Sequence, residues 1–82
     1  MKAKVILYSK PGCDLCEEMK AEIAKANCLD LYDLEEINIE TDESLVNRYR
    51  YDIPVLMING DGAFRHRLTA ESFRDYLKRT VA

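Results

Sequence analysis

Apolar residues fall in short runs whose period changes along the chain. Lys4-Val5-Ile6-Leu7-Tyr8 is nearly continuous and β-branched at first, and Ser9-Lys10-Pro11-Gly12 follows it. An apolar run ended by turn formers predicts a buried strand leading into a loop. From Cys13 to Asn27 the period becomes helical. Leu15, Met19, Ile23 and Ala26 recur at spacings of four, four and three, while Glu17, Glu18, Lys20, Glu22 and Lys25 lie on the face predicted to meet water.

Leu34 to Ile39 alternates weakly, with Ile37 and Ile39 on one side, and predicts a second strand. Thr41-Asp42-Glu43 carries the residue types of a helix start, and Leu45, Val46 and Tyr49 supply its apolar positions. Pro54 opens a third strand, Val55-Leu56-Met57-Ile58, whose unbroken apolar character suits a central position. Asn59-Gly60-Asp61-Gly62 is a strong hairpin signal before a fourth strand, Ala63 to Leu68. Thr69 is the predicted cap of a last helix with Phe73, Tyr76, Leu77 and Val81 on its apolar face.

The predicted order is β-α-β-α-β-β-α, an α/β class with a mixed four-stranded sheet flanked by helices in two or three layers. Strands joined through a helix run parallel, and the last two form an antiparallel hairpin. With 82 residues and no linker, repeat or low-complexity tract, residues 1–82 are expected to make one domain.

The formal net charge of −3 places acids among the bases, apart from a local group at Arg65, His66 and Arg67 that reads as the solvated face of an edge strand. Nucleic-acid binding needs clustered Lys and Arg, so no nucleic-acid partner is expected. No segment reaches the roughly 18 apolar residues of a membrane span, and none the seven or so of a secretory signal. A cytoplasmic monomer without a membrane partner is the expectation.

In that compartment thiols stay reduced, and three cysteines cannot all pair within one chain. Cys13 and Cys16 form C-x-x-C, a motif of redox or metal chemistry. At a helix start, Cys13 meets unpaired backbone N–H groups and the positive end of the helix dipole, which favour a thiolate. An effect of ~0.5–2 kcal/mol lowers a thiol pKa by ~0.4–1.5 units. Lys10 adds positive field, and Asp14, Glu17 and Glu18 oppose it, so a reductant rather than a strong oxidant is expected. Cys16, one turn inside, is placed to resolve a mixed disulfide at Cys13.

Tyr8-Ser9-Lys10-Pro11-Gly12-Cys13-Asp14-Leu15-Cys16, then Tyr51-Asp52-Ile53-Pro54-Val55, then the Asn59-Gly60 hairpin, together resemble the glutaredoxins, and within them the glutaredoxin-like group whose motif reads G-C-x-L-C. The likeness runs through essentially the whole chain in order and spacing. It implies a thioredoxin-like fold and a disulfide reductase, or electron carrier, with Cys13 as nucleophile and Cys16 as resolving thiol. It further implies a cis peptide at Ile53-Pro54 beside the cysteines, Ile53 offering its backbone to an extended substrate, and Lys10 matching a glutathione-facing lysine. From the residues alone, the default is an ordinary proline opening a strand, and only the resemblance points to a cis bond. Tyr51, next to Ile53-Pro54, is expected to line the substrate groove.

The resemblance breaks at two places. Asp14-Leu15 replaces the usual Pro-Tyr. The Gly-Gly pair and Asp that hold the glutathione carboxylate in glutaredoxins are replaced by Arg65-His66-Arg67-Leu68-Thr69-Ala70-Glu71. No bound cofactor is expected, and glutathione is a doubtful reductant. A disulfide-containing protein is the expected substrate, with a thioredoxin-type reductase or glutathione as electron source.

Two other classes compete. Cys13, Cys16, Cys28 and His66 formally make a Cys₃His metal set, although zinc sites usually present two close pairs, and a cluster bridged between chains through Cys13 is the related alternative. A redox-silent interaction module on the same fold is the other. A straight helix puts Cys28 ~20 Å from Cys13, so Cys28 reads as a bystander thiol and no metal ligand is assigned. No chemistry is placed on His66, and the remaining tyrosines read as packing.

Overall fold

The computed structural model describes residues 2–81, so Met1 and Ala82, the ends of the expected span, lie outside the described residues. Its elements are β1 (Ala3–Ser9), α1 (Asp14–Lys25), β2 (Tyr32–Asn38), α2 (Glu43–Tyr49), β3 (Val55–Ile58), β4 (Asp61–Arg65) and α3 (Ala70–Val81). The sheet order is β2-β1-β3-β4, with β1 parallel to β2 and antiparallel to β3, and β4 antiparallel to β3. This is the mixed four-stranded α/β sheet expected from the pattern.

Strand alternation divides the core between the two faces of the sheet. Ala3, Val5 and Leu7 of β1 and Leu56 and Ile58 of β3 pack with Met19 and Ile23 of α1 and with Phe73 and Leu77 of α3. Tyr8, Val55 and Met57 point the other way, toward Leu45, Val46 and Tyr49 of α2. The layers are therefore α1 and α3, sheet, α2. Each fully buried side chain such as Phe73 or Leu77 contributes roughly 1.5–3 kcal/mol by leaving water.

The expected starts of α2 and α3 carry side-chain caps. Asp42 Oδ1 accepts from the Ser44 N–H at 2.9 Å, and Thr69 Oγ1 accepts from the Ser72 N–H at 3.1 Å. The expected strand and helix ends need correction. α1 stops at Lys25 rather than Asn27, because Asn27 takes a left-handed φ of 52° that no helix continues. β1 gains Ala3 and Ser9, both paired to β2.

β2 begins at Tyr32, not Leu34, and ends at Asn38. Its acidic residues Asp33, Glu35 and Glu36 hide it from an alternation search, as suits an edge strand. Ile39 is buried but lies in a 3₁₀ turn, Ile39–Thr41, not in the strand expected to carry it. β4 is Asp61–Arg65 rather than 63–68. Asn59 and Gly60, with φ of 51° and 86°, form a two-residue turn, so pairing resumes at once with Ile58 opposite Asp61. The strand ends where His66 adopts a φ of 64°. Of the group expected on the face of an edge strand, Arg65 lies on it, and His66 and Arg67 lie beyond its end.

Candidate redox site

The site forms where β1 delivers the chain to α1. Gly12 has a φ of 76°, a conformation costly for any residue with a Cβ, and it turns the chain so that Cys13 becomes the N-cap of α1. The Cys13 Sγ accepts from the Cys16 N–H at 3.1 Å. An unpaired first-turn donor thus points at this sulfur, and the helix dipole adds to it. The Cα atoms of Cys13 and Cys16 are 5.2 Å apart and the sulfurs are at disulfide distance. Cys16 is 1% exposed, whereas Cys13 is half-buried. Only one of the two is open to an incoming group.

Ile53, Val55, Ile39 and Tyr49 enclose Cys16, and Cys13 packs on the same cluster. The Ile53-Pro54 peptide is cis. Ile53 and Pro54 are both buried, and the Pro54 carbonyl accepts the His66 N–H at 2.8 Å. Ile53 spends its own N–H on the Tyr49 carbonyl at 3.0 Å.

A groove of about 310 Å³ runs beside the cysteines, lined by Lys10, Cys13, Cys16, Glu17, Lys20 and Glu36 among others. Lys10 and the cysteines are therefore brought together. Tyr51 is largely exposed at 79%, with the Arg50 guanidinium 4.9 Å above its ring, and, like Ile53 and Pro54, it is not among the residues lining this groove. The second groove, about 680 Å³, is the larger, but it lies between α1 and the segment His66 to Ser72 and contains neither cysteine. Chemistry, not size, marks the smaller one.

Ser9, Lys20 and Glu36 also belong to this groove; Ser9 stands in the cysteine motif with no role assigned to it, and no motif marks Lys20 or Glu36. Ser9 Oγ donates to Glu36 Oε2 at 2.7 Å, and Lys20 Nζ lies 3.3 Å from the same oxygen. The Ser9 hydroxyl and then Lys20 hold the Glu36 carboxyl below its ordinary range, while Glu17 and then Glu36 raise the Lys20 ammonium. The helical pattern predicts Lys20 facing water, and the one sequence signal for its place here is that it stands one helical turn after Cys16. The same pattern turns Glu22 to water, yet its Oε1 accepts the Ala70 N–H at 3.0 Å and caps α3 from another element.

Cys28 is buried in the core of the α1 and α3 face, away from the Cys16 cluster, and burial raises its thiol pKa. Cys13, Cys16, Cys28 and His66 do not converge: among the described residues no three His, Cys, Asp or Glu side chains are grouped to hold a metal ion. No helix among the described residues is long and apolar enough to cross a membrane.

Residues 4–78 match the model of the glutaredoxin-like domain family, a span that includes the cysteines, the cis-proline loop and α3 up to Lys78. This chain belongs to the glutaredoxin-like domain family. It is 33% identical over 67 residues to the glutaredoxin-like protein YDR286C homolog of Dictyostelium discoideum, a match covering 74% of this chain and 62% of that relative. Among solved structures, the glutaredoxin-like fold is similar to protein Ne2328 of Nitrosomonas europaea, at a TM-score of 0.75 and 32% identity over 93% of this chain and 92% of that one. It is also similar to protein XcR50 of X. campestris, at a TM-score of 0.78 and 23% identity over 92% and 96%. The thioredoxin-like fold is thus shared, and a cysteine pair at disulfide distance within it is consistent with redox activity.

Proposed function

We propose that this glutaredoxin-like protein is a dithiol disulfide reductase that uses Cys13 as nucleophile and Cys16 as resolving thiol. The observation that carries the reading is the asymmetry of the pair: Cys13 is half-buried on the α1 N-terminus and Cys16 is enclosed one turn later. The Cys13 thiolate attacks a substrate disulfide, forming a Cys13–substrate bond and releasing the other substrate sulfur as a thiolate. Cys16 then loses its proton to water and attacks Cys13. Its sulfur takes the place of the substrate's, which leaves as the second thiolate. Two electrons have passed to the substrate, and a thiol or dithiol donor returns them.

The substrate in this reading is an extended protein segment around a disulfide, received by the Ile53 carbonyl at the cis-proline loop, with Lys10 at the mouth of the groove. A cytoplasmic monomer without a bound cofactor fits the dithiol role. Glutathione is a poor donor in the same reading. The segment that holds its carboxylate in glutaredoxins lacks the glycine pair, and the chain's own Glu22 carboxylate already accepts the Ala70 N–H there. Losing one hydrogen bond to a charged group costs ~1.5–3 kcal/mol, or roughly 10- to 150-fold in affinity.

The test supplies oxidised protein with NADPH through either thioredoxin reductase or glutathione and its reductase, with a peptide disulfide as acceptor. Turnover is expected, with glutathione at least tenfold slower than for a glutaredoxin carrying the Gly-Gly and Asp elements. Equal glutathione rates remove the donor preference. If no donor, dithiothreitol included, yields a protein that cleaves the peptide disulfide, the reductase reading fails.

A further inference from the structure

The groove beside the dithiol has a charged wall that the reaction above does not use. β1 and β2 run parallel with Leu7 opposite Glu36 and Ser9 opposite Asn38, which brings Glu36 to the end of the sheet where α1 begins. Ser9, 3% exposed, anchors the Glu36 carboxylate, and Lys20 lies between Glu36 and Glu17. Glu17 and Lys20 stand one helical turn after Cys13 and Cys16 respectively. Two carboxylates and one ammonium leave this wall with a net charge of −1. Around the rest of the dithiol, Lys10 lies on the loop, Asp14 and Glu18 on the first turns of α1, and Asp52 is paired with Arg65 at 3.6 Å on the cis-proline side, followed by His66. Tyr8 of β1 and Tyr49 of α2 pack in the cluster that holds the cysteines.

We propose that Glu36 is a positioning residue whose anchored negative charge, set against Lys20, fixes the proton affinity and hence the reducing strength of the Cys13–Cys16 pair. A negative charge nearby disfavours a thiolate, and a positive one favours it. A dithiol whose thiolate is less stabilised is the stronger reductant, because stabilising the reduced form makes a pair oxidising. The Ser9 and Lys20 contacts keep Glu36 charged, and Glu17 and Glu36 keep Lys20 charged, throughout the range in which a cysteine titrates. Glu36 is itself exposed, like Asp14 and Glu18, and what sets it apart is the Ser9 hydroxyl that fixes the position of its carboxylate.

The inference rests on the dithiol reading and is tested separately from it. Thiolate absorbance against pH gives the apparent Cys13 pKa, and equilibrium in a dithiothreitol redox buffer gives the dithiol–disulfide balance. Glu36→Gln should lower the pKa by about half a unit and shift the balance toward dithiol by about two- to threefold. Lys20→Met should shift both by similar amounts in the opposite direction, and Lys20→Arg should restore the wild-type values. Both Glu36→Gln and Lys20→Met break the same ion pair, so a merely structural role moves them the same way. Shifts of one sign, or no shift in either variant, overturn the inference. Wild-type protein whose disulfide never exchanges with dithiothreitol overturns the dithiol reading instead.

Discussion

Cys13 and Cys28 carry the same thiol in opposite surroundings. Cys13 meets helix N–H groups and has access to solvent, whereas Cys28 is 5% exposed among Tyr32, Phe73 and the α1 helix, where desolvation raises its pKa. Reactivity follows the thiolate, so iodoacetamide at pH 8 should label Cys13 of the reduced protein well before Cys28, which labels only as the protein unfolds. Cys28→Ser should leave turnover unchanged and alter stability by less than about 1 kcal/mol. Peptide mapping and a denaturation curve check both. Rapid labelling of Cys28 in folded protein contradicts its burial. The cysteine pair itself was legible from the C-x-x-C spacing. Ser9, Lys20 and Glu36 were not, because their meeting depends on β2 lying beside β1, and no local pattern encodes that contact.

At the scale of elements, the sequence was clearest where one signal was strong. The apolar run of β3, the period of α1 and the Asn59-Gly60 turn each appear as read, and the caps at Asp42 and Thr69 bond as their residue types require. Boundaries failed where tertiary pairing overrode local character. The charged residues of β2 pair with β1 from Ala3 opposite Tyr32 onward, and the two-residue turn starts β4 at Asp61, with Ala63 left over where the register shifts between Leu56 and Met57. The hairpin depends on Gly60, whose φ of 86° disfavours any Cβ even though the space beside it is open. Gly60→Ala should therefore destabilise by ~1–2 kcal/mol through backbone strain alone, read as a lower urea midpoint with unchanged m-value. An unchanged midpoint contradicts this conformation of the turn.

For the molecule as a whole, carboxylates tie its parts together. Glu22 of α1 accepts from Ala70 at the start of α3, Glu36 of β2 accepts from Ser9 of β1, and Asp42 caps α2 through Ser44. Each is held below its ordinary pKa, first by the Ala70 N–H, the Ser9 hydroxyl and the Ser44 hydroxyl respectively. A folded pKa below the unfolded value means stability that is fully present above the unfolded pKa and is lost as pH falls through the folded one. With ordinary values of 4.5 for Glu and 3.8 for Asp, the urea midpoint should be flat near neutrality and fall below about pH 4.5. Glu22→Gln combined with Asp42→Asn should flatten that fall; an equally steep decline in the double variant contradicts the assignment.

The division of labour between the two motif cysteines is the point on which everything else depends, and one trapping measurement addresses it directly. Reduced Cys16→Ser and Cys13→Ser proteins are each mixed with the same peptide disulfide, and intact mass reports the covalent adduct. If Cys13 attacks and Cys16 resolves, the Cys16→Ser protein accumulates one peptide on Cys13, and the Cys13→Ser protein stays almost free of adduct because Cys16 is enclosed. Adduct through Cys16 in the Cys13→Ser protein, at comparable rate and yield, contradicts it.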